Sequence, residues 1–281
     1  MAEFFYKSDC FDLYNTFYNG QCFRWEQIEK DVFEGIAGNK PLQLKQNTDG
    51  VLFLCDGSDM KFWQHYFDLD TDYKSIENTY LKDPILGNCV RSGTGMHILR
   101  QDIWEVLISF IISQNNNISR IKKIIYNLSQ ACGEQVNSYS KKYYAFPSPK
   151  ALASLSEDEL VRLGLGYRAA YVYECAQEIS NNEGILKEIA ALDYIQAREK
   201  LLSIKGIGPK VANCILLFGL RHFSAFPVDT WIHKAMLSLY PDCGSNRNTI
   251  EKFAMDKYGE NAGLVQQYIF HAARRGALKI D

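Results

Sequence analysis

Two hydrophobic periods divide the chain. Between Gly20 and Cys55, the short segments QCFRW, DVFEGIA, PLQLKQ and VLFLC have strand character, and Asn19-Gly20, Gly38-Asn39 and Asp49-Gly50 punctuate them as turns. Leu42 and Leu44 alternate with polar neighbours, as in an antiparallel sheet with one buried face. MKFWQHYFDL and Ser75–Leu81 then take helical spacing. From about residue 98 a helical period dominates, with short polar breaks. Asp102–Ser113 holds eight apolar residues in twelve, interrupted by Glu105 and Ser109, and predicts a buried helix. Ser156 with Glu159 forms a capping box, and Asp193 and Asp229 stand where helix caps belong. Helices are predicted over Tyr167–Ile179, from Asp193 to Leu202, over Lys210–Leu220, from Asp229, and over Thr249–Lys257 and Gly263–Leu278. The expected architecture is α+β. An N-terminal antiparallel sheet domain with helices covers 1–97, and an all-helical region follows over 98–281.

Composition narrows the class. With 281 residues, 47% of them apolar and 23% charged, the chain is an ordinary globular protein. It lacks an apolar run of the length a bilayer requires, so no membrane partner is expected. MAEFFYKSDC has no basic stretch ahead of an apolar one, which predicts residence in the cytoplasm. The eight cysteines are widely spaced, with no CxxC pair and no iron–sulfur pattern, and the five histidines are scattered. No metal site and no cofactor are expected from them. Charge is distributed unevenly: residues 1–90 carry 15 acidic and 8 basic side chains, residues 91–281 carry 18 and 23. A basic second part permits phosphate contact on one face.

The sharpest chemistry lies in LLSIKGIGPKVANCILLFG, residues 201–219. Gly206 and Gly208 permit positive φ and close backbone approach, and Pro209 suits the first turn of the next helix. Free amides at that helix start can take a phosphate, which makes a helix-hairpin-helix over about 194–220. A Gly-x-Gly turn between helices also serves as a plain structural loop. Lys210 falls in the first turn, where the helix dipole disfavours a cation. There a lysine either binds an anion, works as a Schiff-base nucleophile or is a solvated surface charge. Asp229, nineteen residues on, caps a helix, and a carboxylate so held can also support a developing cation on a sugar.

Ile204-Lys-Gly-Ile-Gly-Pro-Lys-Val-Ala followed by Pro-Val-Asp229 resembles the signature of the helix-hairpin-helix base-excision DNA glycosylases. Within them the chain is similar to the 8-oxoguanine DNA glycosylase/lyases of the eukaryotic type. Asn19-Gly-Gln-Cys-Phe-Arg-Trp25, Ser113-Gln-Asn-Asn-Asn-Ile-Ser-Arg120, Leu163-Gly-Leu-Gly-Tyr-Arg168 and Gln266-Gln-Tyr-Ile-Phe270 extend the likeness over roughly residues 10 to 275. The missing cysteine cluster separates the chain from the endonuclease III and adenine-glycosylase branches.

The resemblance implies an enzyme that flips an oxidised purine from double-stranded DNA and cuts the strand by β-elimination, without a cofactor or catalytic metal. The partner is duplex DNA bound by a monomer. Lys210 attacks the sugar and Asp229 stabilises its cation. Gly20 accepts the N7 hydrogen of 8-oxoguanine through its carbonyl, Gln266 reads the Watson–Crick edge, and Phe270 and Cys214 sandwich the base. Gly206, Gly208 and Val211 offer amides to phosphate. Asn115 fills the vacated stack, Tyr167 wedges beside the opposite base, and Arg120 and Arg168 read it. One position departs from the pattern: Trp231 stands two residues after Asp229, where many family members have a histidine that contacts phosphate. The implied rivals are a glycosylase for another damaged purine and a non-catalytic DNA-binding module.

Overall fold

The computed structural model describes residues 2–137, 142–182 and 184–279. Strands β1 (Ala2–Lys7), β2 (Trp25–Glu29), β3 (Val32–Ala37), β4 (Lys40–Asn47) and β5 (Gly50–Cys55) form one antiparallel sheet in the order β1-β5-β4-β3-β2. Gly38 and Asn39 turn β3 into β4 with φ of 52° and 62°, the left-handed pair a two-residue hairpin needs. Gly50 is required for a different reason. A Cβ there would lie 2.0 Å from the Tyr6 carbonyl oxygen, so only glycine lets β1 pair. Leu42, Leu44, Val51 and Phe53 cover one face and pack with Phe17, Trp25, Trp63 and Phe67 in a separate core.

Two expectations need correction here. QCFRW is not a strand throughout: pairing begins at Trp25. Gln21 explains this, because its amide donates to the carbonyls of Thr16 and His97 at 2.8 Å and accepts from the Leu99 amide at 2.9 Å. Residues 21–24 are thereby anchored to the following part of the chain, and Phe23 turns edge-on to Phe110 in the other core. The second is β1, which the pattern did not predict. Its three consecutive aromatics place Phe4 and Tyr6 inward and Phe5 outward, masking the alternation.

Among the described residues, eight helices reach ten residues or more: α1 (Ile103–Ser113), α2 (Ile118–Cys132), α3 (Arg168–Asn181), α4 (Tyr194–Ser203), α5 (Pro209–Phe218), α6 (Thr230–Leu239), α7 (Arg247–Tyr258) and α8 (Ala262–Arg274). Their starts follow the cap chemistry. Asp102, Asp193 and Asp229 each accept an amide three residues on, and Ser156 with Glu159 closes its capping box. Helix α1 is buried on almost every side and packs on α5, as its apolar density predicts. A short hairpin of β6 (Gln135–Asn137) and β7 (Lys142–Tyr144) interrupts the helices and had no counterpart in the pattern.

The helical core also draws on earlier residues, including Tyr73, Leu86, Cys89, Val90 and Met96. Asp68 ties the two parts together. Fully buried, it accepts from Tyr73 at 2.7 Å, from Arg100 at 2.6 and 2.8 Å and from Arg221 at 2.8 Å. Among the described residues no helix is long and apolar enough to cross a membrane.

Candidate active site

The hairpin between α4 and α5 sets the geometry. Gly206 has φ +88°, and a Cβ there would stand 2.6 Å from the Tyr171 ring. Gly208 is the N-cap of α5 and faces open space, so its backbone can be approached. Pro209 is the first helical residue, Lys210 the second and Val211 the third. The amides of Gly208, Lys210 and Val211 precede the first intrahelical donor, that of Ala212 onto the Gly208 carbonyl at 2.9 Å. They are therefore free to take an anion.

Lys210 projects from this first turn with its Nζ 5.0 Å from the centre of the Phe110 ring, near enough for its charge to act on the Cys214 thiol. Burial pushes the Cys214 thiol up, Asp229 adds to the rise, and the cationic Lys210 opposes it. Asp229 caps α6 by accepting the Ile232 amide at 2.8 Å. Lys210 and Asp229 face the same cleft, and among the described residues no ion pair joins them.

Two cavities meet at this pair. The inner one is a slot of about 40 Å³ bounded by Gly20, Phe110, Cys214, Gln266 and Phe270 as well as Lys210 and Asp229. Gly20 has φ +82°, and its missing side chain leaves Phe270 room, since a Cβ would be 3.3 Å from that ring. Gln266 is held by its amide donating to the Pro227 carbonyl at 3.1 Å and its oxygen accepting from Gln267 at 2.7 Å. The slot has room for about three waters and is too small for a purine, so entry of a base requires its lining to open. The outer cavity, about 670 Å³, is lined by Gln114, Asn115, Gly208, Val211, Trp231 and Arg247 among others.

The structure thus brings together Lys210, Asp229, Gly20, Gln266, Phe270 and Cys214 at the slot, and Gly206, Gly208 and Val211 along the hairpin. Asn115, Arg120, Tyr167 and Arg168 form a second group beside it. Asn115 adopts φ +47° on the rim of the outer cavity. Tyr167 is 57% exposed, with its hydroxyl donating to the Gln114 carbonyl at 3.3 Å. Arg120 is exposed and reaches the Gly164 carbonyl at 3.5 Å. Arg168 differs from the other three. It is 3% exposed, and its guanidinium donates to the carbonyls of Gln114, Asn115 and Leu165.

Several contributors escaped the sequence reading. Phe110, beneath Lys210, looked like one more apolar residue of a buried helix. Gln114 donates to the Gly206 carbonyl at 2.9 Å and so couples the asparagine loop to the hairpin. Trp231 is 45% exposed on the outer cavity, whereas His233 turns to the Ser245 carbonyl at 3.0 Å.

Comparison with known proteins agrees with this geometry. The model of the HhH-GPD superfamily of base excision DNA repair proteins matches residues 108–258, and that of the 8-oxoguanine DNA glycosylase N-terminal domain matches residues 4–107. The chain belongs to this superfamily. Among its members, a probable N-glycosylase/DNA lyase of Methanothermobacter thermautotrophicus is 32% identical over 95% of both chains. An N-glycosylase/DNA lyase of Arabidopsis thaliana is also 32% identical, over 92% of this chain and 76% of its own length. The crystal structure of the 8-oxoguanine glycosylase/lyase of Clostridium acetobutylicum, in complex with duplex DNA carrying cytosine opposite 8-oxoguanine, superimposes with a TM-score of 0.91. It is 37% identical and covers 97% of this chain and 98% of that one. This superfamily member therefore has the family's sheet domain, its helical region and its hairpin, joined at one slot.

Proposed function

We propose that this protein removes 8-oxoguanine from duplex DNA and cleaves the resulting site, acting as a bifunctional glycosylase/lyase. The observation that carries the reading is the shared throat. Lys210, in the first turn of the hairpin's second helix, and Asp229 stand where a polar-edged slot opens into a larger groove. Phosphate on the hairpin amides brings the sugar to that throat, and the base enters the slot as its lining opens.

Extrusion costs a few kcal/mol, which stacking and edge hydrogen bonds must return. Phe270 and Cys214 supply the two faces. The Gly20 carbonyl gains a hydrogen bond from the N7–H of 8-oxoguanine and meets a lone pair at N7 of guanine, a polar difference able to discriminate strongly. As the C1′–N9 bond breaks, its electron pair leaves with the base, which takes up a proton, and the carboxylate of Asp229 faces the cationic sugar. The Lys210 ammonium gives up a proton to the departing base, the freed lone pair bonds to C1′, and a second proton passes from nitrogen to the ring oxygen as the ring opens to an imine. Loss of the C2′ proton then expels the 3′ phosphate.

A lesion duplex tests this directly: the products expected are free 8-oxoguanine by mass spectrometry and a strand nicked 3′ to the site. Release of a methylated purine, without nicking, from a second duplex that carries one would favour the alkylpurine reading instead. Binding with no base release would leave a DNA-binding module.

A further inference from the structure

The slot contains two polar groups that the family pattern does not use. Asn19 is 1% exposed and lines the slot beside Gly20. Its carbonyl oxygen accepts the Gln21 amide at 3.2 Å, which fixes the flip of the side chain and turns the amide nitrogen away from that bond. Gln267 is 3% exposed on the same slot, and its amide nitrogen donates to Gln266. Among the described residues, the Asn19 amide nitrogen and the Gln267 carbonyl oxygen have no hydrogen-bond partner. A buried polar atom without a partner is costly, and such atoms in a site point to a group that arrives.

Resting on the reading of the slot as a purine site, we propose that Asn19 and Gln267 are additional base-contacting residues, one a donor and the other an acceptor. The chemistry of the base fits both. N7 is flanked by the carbonyl oxygens O6 and O8, so a donor next in sequence to Gly20 meets one of them. The Watson–Crick edge carries N1–H and the 2-amino group, so an acceptor next to Gln266 meets one of those. Gln267 has a second effect: by donating to the Gln266 oxygen it sets which end of Gln266 faces the base.

The test is the ratio of single-turnover 8-oxoguanine excision to cleavage of a preformed abasic site, which has no base to contact. Asn19→Asp keeps the oxygen that binds the Gln21 amide but places an acceptor where the donor was. Gln267→Leu keeps bulk and removes the acceptor. Each is expected to lower the ratio about ten- to hundredfold, as loss of a buried hydrogen bond does. Asn19→Ser, which retains a donor and is less sensitive to charge burial, should recover part of it. A ratio within twofold of wild type in both variants, or an equal fall in both activities, would overturn the assignment. Wild-type protein that cuts abasic DNA but leaves 8-oxoguanine in place would instead overturn the substrate reading, and this proposal with it.

Discussion

The chain uses the same local pattern twice, Gly-x-Gly running into a helix whose first turn bears a cation. In Leu163-Gly-Leu-Gly-Tyr-Arg168 the cation folds back on the Gln114, Asn115 and Leu165 carbonyls and is buried. In Ile204-Lys-Gly-Ile-Gly-Pro-Lys210 it remains half-buried over Phe110, facing a cleft. The two turns even meet, since Gln114 accepts from Arg168 and donates to the Gly206 carbonyl. What distinguishes them is the supply of acceptors. Arg168 is surrounded by backbone carbonyls, which consume its donors, whereas Lys210 looks out at a ring, a thiol and a carboxylate across open space. One cation is occupied by the backbone, and the other faces the cleft.

Substitutions at the two turns should therefore fail in different ways. The largest effect is expected from Lys210→Gln. Strand nicking should fall by roughly a thousandfold or more while lesion DNA still binds, because only the nucleophile is lost. Gel-shift and nicking assays on one preparation check it, and retained nicking would move the role to Lys205. Asp229→Asn comes next. The cap oxygen survives, so stability should change by no more than about 1 kcal/mol, while base excision should drop roughly a hundred- to thousandfold. If neither changed, Asp229 would be a cap alone.

Arg168→Met tests the structural cation. It strands three carbonyls, that of Leu165 buried and those of Gln114 and Asn115 partly so, and urea denaturation should register a loss of about 2–3 kcal/mol. The exposed Arg120→Met should alter stability by less than about 0.5 kcal/mol. Its effect belongs in opposite-base choice: wild type should prefer cytosine over adenine by about ten- to hundredfold, and the variant should narrow that gap. Equal excision from both duplexes by wild type would leave Arg120 a backbone contact.

Much of this was legible in advance because it depends on local rules. Asp193 and Asp229 cap helices by short-range chemistry, and of the two hairpin glycines expected to allow positive φ, Gly206 uses it while Gly208, as the N-cap, is extended at φ −92°. What could not be read depends on partners distant in sequence. Two of the three carbonyls that occupy Arg168, those of Gln114 and Asn115, are more than fifty residues away, and Gln21 breaks its own strand by reaching residues 97 and 99. Phe110 gave no signal because a ring under the first-turn lysine and a ring in a core obey the same helical spacing.

A last expected effect leaves the chemistry alone and concerns the support of the slot. His271, next to Phe270, is held down to about 4 by burial and by Arg275 and Arg274. Its unfolded form protonates near 6.5, so between about pH 6.5 and 4 the unfolded chain binds more proton and stability falls as pH falls. The loss should approach about 2 kcal/mol once partial solvent screening is included. His271→Gln should flatten that part of the stability–pH curve, and an unchanged slope would place the acid sensitivity elsewhere.

The central claim is that Lys210, and not another amine, is left free to join the sugar. Borohydride reduction during reaction with an 8-oxoguanine duplex, followed by peptide mapping of the trapped protein, tests it most directly. The account predicts one adduct, on Lys210, absent from Lys210→Gln. An adduct on Lys205, or undiminished trapping in the variant, would contradict it.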